Sequence, residues 1–409
     1  LSLITITDDE LNDDASAADN ISGLLQASKD IFLRTAAFEF SSSFFRIKGL
    51  DSGNGKVLIN GIEMNKIYDG RAQWSNWGGL NDVLRNQEFS NGLSPSYFTF
   101  GGVLGSANMN TRASTQRPGT RISYSSSNRS YEHRAMATYT SGVSKKGWSM
   151  TFSGSRRAGN EGFNDGTSYN AYSLFASVEK KINDKHSINF TGIFTPNRRG
   201  KSAPNTQEVF DLKGIEYNEY WGNLNGKKLN SRIKEVVEPI LMLNYYWDIS
   251  ENTTLQTNVS YQFGKIGNSR LDFNAGANPS PTYYQTLPSY FLRNNDLAGA
   301  YAAQENFVNN GQLDWNRIFD ANTTNATMGL NNAYVLYEDR NEDKQVTINS
   351  IFNSNINSNI SINGKLEYKR LHSQNFAKVL DLLGGNGYLD INNFADSEAQ
   401  MQNDVFNPN

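Results

Sequence analysis

The sequence contains no cysteine among its 409 residues. Thiol nucleophiles, disulfide bonds and thiolate metal sites are therefore excluded. The three histidines, His133, His186 and His372, are scattered along the chain, without a second ligand at metal-binding spacing. No Ser-His-acid constellation can be assembled either. The sequence therefore predicts no cofactor and no enzyme.

Long apolar runs and an excess of basic residues are also missing. No window approaches the run of about 18 apolar residues that a membrane-spanning helix requires. The 38 Lys and Arg residues are balanced by 41 Asp and Glu residues, which gives a formal net charge of -3. Because nucleic-acid-binding domains carry a basic patch, nucleic acid is not an expected partner.

Aromatic residues and glycines, by contrast, are plentiful. Phe, Trp and Tyr make up 12% of the chain, which also has 34 glycines, although only 37% of residues are hydrophobic. This composition is poor for a helical core and favours β structure with many turns.

The stretch TTLQTNVSYQF, residues 253–263, alternates apolar and polar residues with almost no error. Such a strand has one apolar and one polar face. In a soluble sandwich the apolar face would meet a core, whereas in an outer-membrane barrel it would meet lipid and the polar face the lumen. The strand alone fits both environments.

The order of strands and connections decides between these environments. Alternating segments are predicted near 119–126, 131–141, 147–156, 170–181, 186–195, 236–248, 253–264, 344–353 and 358–370. Short turns, SKK, NDK, ISEN and NSNIN, alternate with connections of roughly 13, 40 and 80 residues, as in bacterial outer-membrane barrels. The predicted fold is therefore mainly β, a transmembrane antiparallel barrel. Its polar strand residues should face the lumen.

Aromatic residues next to the short turns support the same geometry. Trp148 follows the SKKG turn, and Tyr245, Tyr246 and Trp247 precede the turn at DISEN. An interfacial girdle belongs at this rim, and ordinary core packing is the alternative. The roughly nine strands are an odd number for a bacterial barrel, and a polar tail follows them, which predicts the front part of a longer protein.

The first 115 residues have a different sequence pattern, which predicts a small α/β unit. Helical spacing at Ile21, Leu24 and Leu25 precedes the segment SSFFRIKGLDSGNGKVLINGIEMN, which reads as strand, turn and strand. Helical spacing returns at Leu80, Val83 and Leu84, before the glycine-rich end of the unit.

Three motifs in this unit resemble the plug domain of TonB-dependent outer-membrane transporters, in which a plug fills a barrel of about 22 strands. They are FRIKGL with Arg46 and Gly49, VLINGIEMN with Asn60 and Gly61, and FGGVLGSANMNTR with Gly101, Gly102 and Gly105. Lys48 replaces the usual Arg, which keeps the charge and loses the bidentate fork. The long loops and polar aromatic strands look most like the SusC-like branch of Bacteroidetes.

The resemblance implies a plug at residues 1–115 and the N-terminal portion of a barrel, with long extracellular loops, at residues 116–409. It implies outer-membrane localisation and uptake of a bulky nutrient, a glycan or a peptide, with the plug gating the lumen. The implied partners are a SusD-like surface lipoprotein and the TonB-ExbB-ExbD system, although no TonB box precedes the plug in this chain. A structural or assembly subunit of a larger outer-membrane complex is the alternative.

The loop GRAQWSNWGG is the candidate substrate-facing segment. Arg71, Trp74 and Trp77 could present one cation and two aromatic faces to the lumen, as sugar- and peptide-binding surfaces do. Packing of both tryptophans on the barrel wall is the alternative.

The segment DRNED begins like a calcium loop at Asp339, Asn341 and Asp343. Lys344 and Ser350 then replace the required Gly and Glu, which favours a solvated loop end.

Overall fold

A computed structural model describes residues 4–6, 50–128, 130–274, 276–391 and 402–404. The predicted helix around Ile21 and Leu24 lies outside the described residues, as do Arg46 and Gly49 of the first plug motif.

The N-terminal unit contains a five-stranded sheet with strand order β1-β4-β5-β2-β3. Its strands are β1 (Ile4–Ile6), β2 (Lys56–Ile59), β3 (Ile62–Glu63), β4 (Gln87–Ser90) and β5 (Ser106–Met109). Strands β2 and β5 are parallel, and the other neighbours are antiparallel. One-turn 3-10 helices occupy Ser52–Asn54, Trp74–Asn76, Asn81–Val83 and Ala113–Thr115.

The helix predicted around Leu80 is wrong. The structure has a single 3-10 turn at Asn81–Val83, after which the chain enters β4 to pair with β5. Leu80, Val83 and Leu84 are nevertheless all buried. One tight turn thus places all three side chains in the core, and no further helical turn is needed.

The second unit is a large antiparallel sheet of eleven segments. They are β6 (Gly119–Ser126), β7 (His133–Thr140), β8 (Trp148–Gly159), β9 (Tyr169–Lys181), β10 (His186–Phe194), β11 (Asn197–Gly200), β14 (Ile233–Val237), β15 (Ile240–Ser250), β16 (Thr253–Phe273), β17 (Tyr334–Asn357) and β18 (Ile360–Asp381). Breaks next to Pro196 and Pro239 divide two long strands into β10 with β11 and β14 with β15, because proline cannot donate to the ladder. The segments therefore form nine wall strands, as predicted.

The two faces of this sheet are inverted relative to a water-soluble protein. On β16, Asn258, Ser260 and Gln262 are buried, whereas Val259 and Tyr261 are exposed. The same alternation runs along β8, β9, β10, β15 and β17. The polar face covers the N-terminal unit, with which it forms hydrogen bonds and ion pairs, and the apolar face points away from that unit. The predicted barrel wall and plug are thus confirmed as the fold.

The connections are shorter than predicted, because the strands on both sides of each one are longer than the alternation indicated. The long connections cover residues 160–168, 201–232 and 274–333. Strand β17 begins at Tyr334, ten residues before the predicted start at 344, and includes the DRNED segment. The solvated loop end predicted for Asp339, Asn341 and Asp343 is therefore wrong.

The long connections carry their own secondary structure. Residues 201–232 contain helix α1 (Gln207–Lys213) and the hairpin β12 (Trp221–Leu224) and β13 (Lys227–Asn230). Residues 274–333 contain the 3-10 turn Tyr284–Thr286 and the helices α2 (Pro288–Arg293), α3 (Leu297–Asn310) and α4 (Trp315–Thr327). A last small sheet joins β19 (Leu389–Ile391) to β20 (Gln402–Asp404). Within the described ranges, no helix has the length and apolarity to cross a membrane.

The rim aromatics divide between the two faces. His186 stacks on Tyr245 and on Trp247, with ring centroids 5.9 and 5.6 Å apart. Tyr246 lies between them in sequence, points to the other face and holds the guanidinium of Arg112 3.8 Å above its ring. The girdle predicted for all three residues is thus wrong for Tyr246, because successive strand residues alternate in direction.

Candidate functional site

The tight turn between β2 and β3 carries the plug into the polar wall. Asn60 and Gly61 both have positive φ, 49° and 78°, as a two-residue hairpin turn of type I′ requires. A Cβ at Gly61 would lie 2.8 Å from Ile351 Cδ1, and any other residue would be strained at this φ, so glycine is favoured here. The Asn-Gly motif of the sequence is therefore one of the contacts between the two units.

Four amide side chains form a closed circuit around this turn. Asn60 Nδ2 donates to Asn244 Oδ1 at 3.3 Å, Asn244 to Asn258 at 2.7 Å, and Asn258 to Asn349 at 2.7 Å. Asn349 Nδ2 closes the circuit on the carbonyl of Gly61 at 3.0 Å. Because Asn258 lies opposite both Asn244 and Asn349 in the ladder, three neighbouring strands supply one continuous amide surface.

A buried ion cluster holds the plug a few residues further along. Lys66 Nζ lies 2.5 Å from Glu238 Oε1 and 3.3 Å from Asp343 Oδ2, and all three side chains are 5% exposed or less. Asn76 Nδ2 donates to the second oxygen of Glu238 at 2.8 Å. One plug cation thus neutralises two carboxylates of the wall. The three residues are far apart in the sequence, so no local pattern predicted this cluster.

A second ion pair closes the far end of the plug. Arg112 Nη2 lies 2.6 Å from Glu179 Oε1 and 2.9 Å from Ser187 Oγ. The backbone N of Ser114 donates to the other Glu179 oxygen at 3.0 Å. With the guanidinium also packed on Tyr246, the buried Glu179 carboxylate and its partially exposed cation are fully engaged, which offsets the desolvation of the carboxylate.

The candidate loop GRAQWSNWGG meets the wall mainly through its backbone. The hydroxyls of Ser155, Ser173 and Thr195 donate to carbonyls of the loop at 2.7, 2.7 and 2.8 Å. These carbonyls belong to Gly79, Gly78 and Ser75, respectively. Small hydroxyls on the wall therefore bind the backbone of this loop, in addition to the contact between the Asn76 side chain and Glu238.

The three side chains singled out in this loop have different environments. Trp77 is 2% exposed and belongs to a core of plug residues and of wall residues such as Phe175 and Ile240, which matches the packing alternative. Trp74 is half-buried and packs edge to face with Trp77, with ring centroids 5.6 Å apart. Arg71 is exposed and bonds both oxygens of Asp51, which raises the pKa of the guanidinium. Arg71 thus remains a proposal for solute contact, and Trp77 is a packing residue.

The glycines of the third motif permit close approach within the plug. A Cβ at Gly102 would lie 2.2 Å from the Asn54 carbonyl oxygen, and one at Gly105 would lie 2.0 Å from the Ser90 carbonyl oxygen. Gly101 and Gly105 also have positive φ. These glycines therefore have a structural role within the plug.

Sequence reasoning missed Lys66, Arg112, Glu179 and Glu238. One signal was present: Glu179 has the same parity as Ser173 and Ser177, which is the lumen parity of β9. A carboxylate on that face implies a plug cation. Among the residues that the structure describes, no cluster of three or more His, Cys, Asp or Glu side chains could hold a metal ion.

Neither a protein-family model nor a curated protein matches the sequence. Solved structures with a similar fold include the ferric-catecholate import receptor Fiu of E. coli K12, with a TM-score of 0.56 and 12% identity over 94% of this chain and 52% of that one. They also include the ferric preacinetobactin receptor BauA of Acinetobacter baumannii, with a TM-score of 0.51 and 11% identity over 92% and 47%. The siderophore receptor PirA of the same organism gives 0.50 and 12% over 91% and 48%.

This chain therefore spans about half the length of the structures it resembles. At these identities the likeness concerns the fold alone. The plug enclosed by a polar-lined wall is the fold of TonB-dependent outer-membrane receptors.

Proposed function

We propose that this chain supplies the plug and the first wall strands of a TonB-dependent receptor in the bacterial outer membrane, which takes up a bulky nutrient such as a glycan or a peptide. The observation that carries the proposal is the occluded lumen. The plug turn, the Lys66 cluster and the Arg112 pair join the plug to the polar face of the sheet through hydrogen bonds. Such polar contacts can be exchanged for water, so the plug can move without exposing an apolar surface.

The partners follow from the same fold. No nucleotide site is predicted in the sequence, so work to move the plug would come from the TonB-ExbB-ExbD system. A SusD-like lipoprotein would sit over the extracellular loops, as in the SusC-like branch. The aromatic surface of residues 283–291, where Tyr283, Tyr284 and Tyr290 pack edge to face, supports such a docking role.

Reversible locking of the plug tests the transport proposal. Ser75 lies in the plug, and its carbonyl accepts a hydrogen bond from Thr195 of the wall. Because the chain has no cysteine, the double variant Ser75→Cys with Thr195→Cys would carry a unique thiol pair. A short reducible bis-thiosulfonate reagent would bridge the two thiols in intact cells.

Uptake of the nutrient that supports growth should stop when this bridge forms and resume after reduction. The matched control is Thr140→Cys with Thr151→Cys, two wall residues whose hydroxyls are 3.1 Å apart and which do not involve the plug. Undiminished uptake with the plug bridged to the wall would reject gating by the plug.

The alternative, a structural or assembly subunit, is favoured by the folded connection 274–333 with its three helices. Loops of this size can be docking surfaces. Native affinity purification separates the two functions. Recovery with a SusD-like lipoprotein favours uptake, and stoichiometric recovery with other outer-membrane machinery favours assembly.

A further inference from the structure

Four cationic side chains lie together on two neighbouring wall strands and on the residues next to their ends. Arg199 of β11 is directly opposite Lys234 of β14. Two residues further along, the backbone N of Lys201 donates to the carbonyl of Arg232 at 2.8 Å. The four residues therefore form two successive cross-strand pairs on one face of the sheet, and we call them the basic wall.

The basic wall faces the lumen beside the candidate plug loop. Asn197, two residues before Arg199 on the same strand face, donates to the carbonyl of plug residue Ser75 at 3.4 Å. Lys234 Nζ donates to Oε1 of Gln73, also in the plug loop, at 3.3 Å. Because strand residues alternate in direction, Arg199 points to the same side as Asn197. A solute that reaches the plug loop would meet this surface.

The basic wall has a charge that the chain leaves unbalanced. Like charges directly opposite each other destabilise a sheet. Across the described part of the chain, none of the four side chains forms an ion pair with a carboxylate; Lys201 instead donates to Asn268 Oδ1 at 2.7 Å, and Arg232 lies over the ring of Tyr220. On the next strand, by contrast, Arg270 is neutralised by Asp339.

The surroundings leave the cations accessible to a ligand. All four residues are half-buried, neither enclosed nor fully solvated. Lys201 lies just after the end of β11. Burial lowers the pKa of its ammonium group, and the neighbouring positive charges of Arg232 and Arg199 lower it further. Two guanidinium groups provide planar forks for carboxylate, sulfate or phosphate, and two ammonium groups provide point charges.

We propose that the basic wall binds the acidic groups of the transported solute, which is therefore a polyanion. This inference rests on the proposed uptake function, since it assigns the solute of that same lumen. The wall would place the negative solute against the plug loop, where Gln73 and Lys234 already touch. Occupation would relieve the like-charge repulsion of the empty surface.

Calorimetric titration of the full-length protein in detergent tests the assignment. The probes are tri-galacturonate, tri-glutamate and tripolyphosphate, with methyl-esterified tri-galacturonate and tri-glutamine as matched neutral controls. We expect at least one polyanion to bind, with an affinity that falls steeply as salt is added, and the matched neutral controls to bind at least tenfold more weakly. Comparison of the three polyanions identifies whether the wall prefers the carboxylates of a sugar, the carboxylates of a peptide or phosphate groups.

Variants locate the binding. Arg199→Gln with Lys234→Gln should weaken polyanion binding at least tenfold, whereas the charge-keeping exchange Arg199→Lys with Lys234→Arg should retain most of it. Lys227→Gln with Arg293→Gln removes the same net charge from exposed loop positions and should leave the affinity within twofold. Absence of binding by all three polyanions, equal binding of neutral controls, or an unchanged affinity in the Gln variant would overturn the inference.

The two proposals fail separately. If no polyanion binds while the bridged plug still stops uptake, the charge assignment is wrong and transport stands. If a polyanion binds at the basic wall while bridging leaves uptake unchanged, the transport proposal fails.

Discussion

Replacement of Lys66 by methionine gives the sharpest prediction for the plug. The substitution keeps the side-chain length and removes the charge that two carboxylates share, at 2.5 Å from Glu238 and 3.3 Å from Asp343. Both carboxylates are 2% exposed or less, so they would remain buried without a cation. Loss of one partner from a buried ion pair costs about 3–5 kcal/mol.

The expected effect is on opening of the plug. A loss of 3–5 kcal/mol corresponds to a factor on the order of a hundred to several thousand in the opening equilibrium. Hydrogen exchange of the amides in β2 and β5, followed by mass spectrometry on the receptor in lipid nanodiscs, measures this equilibrium. The wall amides of β8 and β9 should keep their protection.

Lys56→Met is the matched control for this substitution. Lys56 also lies in the plug and pairs with Glu63 at 2.7 Å, but its side chain is 31% exposed. Exposed pairs contribute at most about 1 kcal/mol, so exchange should rise only a few-fold. If Lys66→Met accelerates plug exchange no more than Lys56→Met does, the buried cluster does not hold the plug.

Three further substitutions test other parts of the account. Trp77→Ala should destabilise the plug by about 3–5 kcal/mol, seen as a lower urea midpoint of plug unfolding, and an unchanged midpoint would contradict its burial. Gly105→Ala should cost at least about 1–3 kcal/mol in the same assay, because its Cβ would meet the Ser90 carbonyl at positive φ; Gly364→Ala, with open space around it, should cost less than 1. Burial raises the pKa of Glu88, against a weaker effect of its bond to Asn108, so the folded plug binds this proton more tightly than the unfolded chain. Plug stability should therefore fall as the pH rises from about 4.3 through the raised pKa; this fall should be smaller in Glu88→Gln, and an identical pH profile would refute the linkage.

The wall was largely predictable, because one rule governs it. Alternation sets the faces of β16, and the turns at SKK, NDK and ISEN mark where neighbouring strands meet, whereas the predicted turn NSNIN belongs to the end of β17 and the chain turns at residues 358–359. The predicted direction of TTLQTNVSYQF is confirmed by the burial of Asn258 and the exposure of Val259. Only the direction of the two faces, with the polar face towards the plug, had to be inferred from the order of short turns and long connections along the whole chain.

The extension of the wall strands was not predictable from alternation. After residue 264 in the sequence, β16 pairs with a part of β17 in which charged residues occupy both faces. Arg340, for example, bonds Glu338 on one face while Asp339 meets Arg270 on the other. Because both faces are polar there, the period of two disappears although the ladder continues.

The site itself was predictable only in its local part. The turn at Asn60 and Gly61 could be predicted from two adjacent residues, because a type I′ turn needs positive φ at both positions and Asn-Gly allows it. The Lys66 cluster joins residues 172 and 277 positions apart, and no local pattern pairs them. The sequence left packing and solute contact open for Trp77, because an aromatic ring in a loop pattern looks the same whether it meets solute or the wall.

A spin-label scan along β16 tests the central claim most directly, that this sheet encloses the plug with its polar face and meets lipid with its apolar face. The absence of cysteine makes every introduced label unique. In lipid bilayers, labels at Leu255, Val259 and Tyr261 should be accessible to oxygen, and labels at Asn258 and Ser260 should be shielded by the plug. Oxygen accessibility on the Asn258 and Ser260 parity, with shielded labels at Val259 and Tyr261, would contradict the account.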